Sequence, residues 1–139
     1  MSGMQRSRRT LLVISLALSV VGCGGGKPHS TLAGVYTTEQ AARGRDVYAG
    51  MCISCHAGMG NHVGPVFRKW WAGRDLLDMY RFMSFNMPKN DPGSLAPDEY
   101  LAVIAYLLER NGMPAGKAPL TVDTVALKAI IYDTAAMTR

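Results

Sequence analysis

Residues 52–56 read Cys52-Ile53-Ser54-Cys55-His56, and the reading of this stretch decides which folds are open to the chain. Two thiols at this spacing can reach two vinyl groups on one edge of a haem. The adjacent imidazole can then meet the iron from one face. The C-x-x-C-H pattern is the signature of covalent haem attachment. Two other chemistries use paired cysteines. A redox dithiol of the thioredoxin kind needs a βαβ context, and none is visible around these residues. A structural zinc site needs two more good ligands at fixed spacing. His62 and His29 do not offer that arrangement. The expected cofactor is therefore one covalent haem c, held by Cys52 and Cys55, with His56 as an axial ligand.

The other face of the iron takes a sixth ligand or stays open. Met59, His62, Met79, Met83, Met87 and Met113 are the candidates. Met79 and Met83 fit a helical face, where methionine is usually core filler. Met59 and His62 stand so close to His56 in sequence that they would struggle to reach the opposite face. Met87 lies in an irregular stretch and is followed by Pro88, which keeps that stretch from coiling into helix. Met87 is the preferred ligand. A Met/His pair raises the reduction potential and fills both axial positions. A ligating histidine also tends to donate its second ring N–H to a carbonyl or carboxylate. The Pro65 carbonyl is the candidate acceptor for His56; the alternative is that Gly64-Pro65 forms a plain turn.

Outward from the motif, the patterning is helical. A first helix is predicted over Thr38–Met51, with Thr37 and Gln40 spaced for a capping box. Gly44 inside it costs about 1 kcal/mol relative to alanine, so close approach of another helix is expected there. Gly58 to Pro65 reads as loop. Val66 to Met83 reads as short helical pieces broken at Gly73, and Met87 to Pro92 as loop. The clearest helix is Pro97–Arg110, with Pro97 at its first position and Asp98 and Glu99 at its positive end. Tyr100, Val103, Ile104, Leu107 and Leu108 form its apolar stripe. Ala96 lacks the side-chain acceptor expected of a cap, and Asn111-Gly112 ends the helix. A weak helical segment follows, roughly Asp123 to Ile130, after which the tail trails off.

The N-terminus reads as an export signal over residues 1–22. Met1 to Thr10 carries three arginines and no acid, and Leu11 to Val21 is an uncharged apolar run. That run falls short of the roughly 20 residues needed to span a bilayer, and it matches a secretory pattern. Val20-Val21-Gly22-Cys23 resembles a lipobox, which makes Cys23 a candidate for lipidation and residues 23–36 a flexible tether. Gly24 carries no acidic inner-membrane retention signal, which favours the outer membrane. The formal net charge is +5, but without Arg6, Arg8 and Arg9 the balance is 12 basic against 10 acidic residues. That excess is too small to argue for nucleic acid. With Cys23 lipidated and Cys52 and Cys55 on haem, no cysteine pair is left for a disulfide.

Over residues 37–116 the chain resembles a class I cytochrome c domain. Gly44 and Tyr48 resemble that family's first helix, and Ala105-Tyr106-Leu107 its last. The resemblance implies that Tyr106 packs near Gly44 and Tyr48. It also implies that a tryptophan or arginine meets the haem propionates, for which Trp71 and Arg74 are candidates. The alternative makes Trp71 core and Arg74 a solvated charge. Further strings, Trp71-Ala72-Gly73-Arg74, Met87-Pro88 and Asn111-Gly112-Met113-Pro114-Ala115-Gly116 among them, resemble small cytochrome subunits associated with quinoprotein dehydrogenases.

The expected fold is all-α, with helices wrapped around one haem that supplies the apolar core a short chain lacks. Residues 117–139 are a C-terminal extension. The expected function is one-electron transport in the periplasm, from a dehydrogenase donor toward an oxidase or cytochrome acceptor, with no small-molecule substrate and no nucleic acid. The protein is expected not to be an enzyme. The alternative is a haem enzyme or gas sensor with an open or labile sixth site.

Overall fold

A computed structural model describes residues 29–134. The export signal, Cys23 and the first part of the tether lie outside the described residues. Within them the chain forms α1 (Thr38–Met51), a 3-10 segment (Ala57–His62), α2 (Pro65–Trp71), α3 (Leu76–Asn86), α4 (Pro97–Arg110) and α5 (Thr124–Lys128). A two-residue parallel pair, β1 (His29–Ser30) with β2 (Ile130–Ile131), joins the two ends. The architecture is all-α. No helix among the described residues is long and apolar enough to cross a membrane.

α4 is the centre. All the residues of its expected apolar stripe are buried, and so are Leu101, Ala102 and Ala105. α1 crosses it on the face that carries Ala41, Gly44 and Tyr48, which α1 buries together with Gln40. At the crossing Gly44 lies against the backbone of Ala102, and an added Cβ would run into the Ala102 carbonyl. Close backbone approach is thus the reason for a glycine in mid-helix. Tyr48 and Tyr106 meet beside it, with ring centroids 5.6 Å apart.

The helix ends differ from the sequence expectation in two ways. Thr37 caps α1, its hydroxyl accepting from the Gln40 N–H at 3.2 Å. The Gln40 side chain does not complete the box. It is 7% exposed and turns inward, donating to the Leu120 carbonyl at 2.9 Å and accepting from the Leu120 N–H at 2.8 Å. An interior amide left unpaired costs more than a helix terminus that water can reach, so the longer-range pairing wins. At α4, Ala96 offers no acceptor, but the Glu99 carboxylate accepts from the Ala96 N–H at 2.8 Å. Half of a capping box therefore survives at a position that looked uncapped.

The packed body runs past both ends of 37–116. Residues 29–36 are not free of it: Thr31 and Tyr36 are buried, and the Tyr36 hydroxyl donates to the Met113 carbonyl at 2.7 Å. The tail does not trail off. Leu120, Leu127 and Tyr132 are buried. The Tyr132 N–H donates to the Arg74 carbonyl at 2.8 Å, and its carbonyl accepts from the Gly73 N–H at 2.9 Å. The Ser30 hydroxyl donates to Asp133 at 2.9 Å. Their burial comes from partners distant in sequence, which no local pattern in these short segments announces.

Candidate cofactor site

The motif begins where α1 stops. The Cys52 N–H donates to the Tyr48 carbonyl at 2.9 Å, and the His56 N–H to the Cys52 carbonyl at 2.9 Å. This tight winding continues the end of the helix and brings Cys52, Cys55 and His56 to the wall of one cavity of about 470 Å³. That volume lies within the roughly 300–1,000 Å³ usual for ligand sites. Val66, Phe67, Trp70 and Trp71 of α2 line it, as do Met79, Phe82 and Met83 of α3. Met87 to Asn90 and, from α4, Val103 and Leu107 complete it. Cys52 is half-buried and Cys55 exposed, and neither is in a disulfide. Burial pushes the Cys52 thiol upward from its usual range, and Cys55 beside it adds to the effect.

Tyr48 organises the floor of the motif. Its hydroxyl donates to the His56 carbonyl at 3.2 Å and lies 3.0 Å from His62 Nδ1. A carbonyl can only accept, so the tyrosine proton goes there, and His62 Nδ1 then carries the proton of the second bond. Burial pushes the Tyr48 phenol up to about 12, with Cys52 and Tyr106 adding to it, so the hydroxyl stays protonated. Burial, and then His56, hold the His62 imidazole below its usual range. Asn111, 3% exposed, ties the segment to α4. Its amide donates to the His62 and Leu107 carbonyls at 2.9 and 2.8 Å, and its side-chain oxygen accepts from the Gly64 N–H at 3.1 Å. In sequence Asn111 signals only a helix stop, because an asparagine before glycine is common at helix ends.

The cavity sorts the candidate axial ligands. Met59 and Met113 do not line it; Met79, Met83, Met87 and His62 do. The His62 ring centroid lies 4.2 Å from that of His56, so His62 stands beside His56 rather than across the cavity from it. Met79 and Met83 sit within α3, whereas Met87 is its C-cap, with extended backbone at φ −132° and ψ 148°.

The remaining residues are placed unevenly. Trp71 is buried and lines the cavity. Arg74 does not line it; its guanidinium stacks over the Trp71 ring, 4.6 Å from the centroid, and pairs with Asp78 at 3.6 Å. Pro65 also stands outside the lining, and no hydrogen bond joins its carbonyl to His56. It is instead the first residue of α2, where its missing N–H costs nothing.

The donor set fits a haem. Two thiols, two imidazoles and thioethers converge on a cavity whose other walls are mostly apolar. It does not fit a zinc knuckle, because among the described residues no three His, Cys, Asp or Glu side chains gather to hold a metal ion. Residues 39–107 match the family model of cytochrome c oxidase, cbb3-type, subunit III. No curated protein and no solved structure matches the chain. The helical wrap, the cavity built on Cys52, Cys55 and His56, and this match together identify residues 39–107 as a c-type cytochrome domain that carries covalent haem c and transfers electrons.

Proposed function

We infer that the protein is a monohaem electron carrier whose iron is closed on both faces, by His56 and by Met87. The observation that carries this reading is the convergence of Cys52, Cys55, His56 and Met87 on one apolar cavity. Haem, when bound, supplies a one-electron iron couple. The protein's residues do the rest. Cys52 and Cys55 tether the group, Phe67 and Trp71 shield it from water, and Arg74 stiffens Trp71 from behind. His56 and Met87 would hold the iron, and a thioether paired with an imidazole would favour its reduced form and leave no site for a substrate.

Replacement of Met87 by alanine tests the reading. The ferric holoprotein should lose the methionine–iron charge-transfer band, its potential should fall, and the reduced form should take up carbon monoxide. A wild-type protein that lacks the band and binds carbon monoxide readily would instead be the gas-sensing or catalytic protein of the alternative reading.

The carrier works in the periplasm, held to a membrane by a lipid on Cys23, with the outer membrane preferred for want of an acid at residue 24. The apolar run before Val20-Val21-Gly22-Cys23 supports export and anchoring. Its donor is a dehydrogenase of the quinoprotein class, as the strings around Trp71, Met87 and Asn111 suggest. Its acceptor lies toward a terminal oxidase, a direction the oxidase-subunit match supports. Cys23→Ser should move the haem protein from the membrane fraction to the soluble one; a membrane fraction that keeps all of it would exclude the lipid anchor.

A further inference from the structure

Met87 is held at its backbone from two sides. Its N–H donates to the Met83 carbonyl at 2.8 Å, the closing bond of α3. Its carbonyl accepts from the Tyr100 hydroxyl at 2.7 Å, which reaches across from the first turn of α4. Tyr100 is 2% exposed, and its ring stands edge-on to that of Tyr80 with centroids 6.3 Å apart. Packing, and not the hydrogen bond, therefore fixes where the phenol points. Tyr100 is no part of the cavity wall and meets Met87 at the main chain. Beyond Met87 the chain enters Pro88, which has no N–H to give, and the next main-chain bond joins the Asp91 N–H to the Pro88 carbonyl at 2.9 Å, within the loop itself. Among the hydrogen bonds of the described residues, the Tyr100 contact is the one that ties Met87 to another helix.

We propose that Tyr100 is a positioning residue for the sixth ligand. By fixing the Met87 carbonyl it keeps the Met87 side chain at the cavity and weights the site toward its closed state. A bond present in the closed state and absent in the open one shifts the equilibrium between them. An external ligand then binds in proportion to the open fraction. The inference rests on Met87 being the iron ligand, and the experiment separates the two.

Carbon monoxide binding to the reduced holoprotein and the pH at which the ferric methionine–iron band disappears are measured together. The wild type, Met87→Ala, Tyr100→Phe and Gln40→Ala are compared. Phe keeps the ring and removes only the hydroxyl. Tyr100→Phe should keep the band at neutral pH, lose it closer to neutrality than the wild type does, and bind carbon monoxide with an apparent affinity about fivefold higher. That is the change one ordinary hydrogen bond makes in an equilibrium constant. Gln40→Ala removes both bonds to Leu120. It should lower the denaturation midpoint while leaving the band and the carbon monoxide affinity unchanged.

If wild type and Met87→Ala behave alike, the ligand assignment fails and this inference falls with it. If they differ but Tyr100→Phe matches the wild type in both readouts, the ligand stands and the role of Tyr100 is overturned. If Gln40→Ala shifts the two readouts as far as Tyr100→Phe does, the effect is general loosening and the positioning role is again overturned. Tyr100→Leu provides a second lesion. Should neither Tyr100 variant yield holoprotein while Gln40→Ala does, Tyr100 is a requirement of the fold, which also overturns the proposal.

Discussion

The double variant Cys52→Ser, Cys55→Ser should show no haem stain on a denaturing gel, where the wild-type band keeps its colour. Denaturation removes the cavity walls and every other contribution the fold makes to holding the group. Only the thioether bonds outlast it. Loss is therefore expected to be complete rather than partial. Stain retained by the double variant, or lost by the wild type with both cysteines intact, would refute covalent attachment. The native state should also suffer. A domain of this size buries a modest share of its surface, and the apolar walls contributed by α2 and α3 converge on a volume of about 470 Å³. Where a bound group completes the core, its binding free energy becomes folding free energy. The double variant is accordingly expected to accumulate poorly and to melt well below the wild type.

The second large effect is expected at Gly44. A methyl group there would collide with the carbonyl of Ala102, and the Ala102 carbonyl carbon and the Val103 nitrogen crowd the same point. These are backbone atoms of a buried helix and cannot swing aside as a flexible side chain could. Overpacking a tight core typically costs 1–3 kcal/mol, and a backbone obstacle places Gly44→Ala at or above roughly 3 kcal/mol in the same comparison. Chemical denaturation of the holoprotein is the direct measurement. The sign is informative. In an exposed helix the same substitution would stabilise by about 1 kcal/mol through propensity. A neutral or stabilising result would mean that α1 and α4 do not cross at this residue. Gly50, also in α1 but with open space where its Cβ would stand, is the internal comparison: Gly50→Ala should gain the propensity that Gly44→Ala forfeits.

Much of this molecule is local, and what is local was legible in the sequence. Cys52, Cys55 and His56 declare their chemistry because a haem edge demands two thiols and an imidazole at fixed short spacing. α1 and α4 were bounded correctly because their signals are short-range: Thr37 at one start, Pro97 at the other, and Asn111-Gly112 at a stop. The glycine in mid-helix announced a crossing, since only a close neighbour justifies its cost.

The features that no local pattern foretells share one property: their partners are far apart in sequence. Gln40 fits a capping box by spacing, yet it pairs with Leu120 because an unpaired interior amide costs more than a solvated helix end. Tyr100 reads as one more residue of an apolar stripe, and only the packing of α3 against α4 brings its hydroxyl to Met87. The tail carries only a weak helical pattern, and nothing local in it predicts that Leu120, Leu127 and Tyr132 are buried or that Tyr132 will sit against Phe67. Short-range patterns in the chain are enough to name the cofactor and to bound the main helices. Long-range pairing, which no spacing encodes, decided what holds Met87 in place and how far the domain extends.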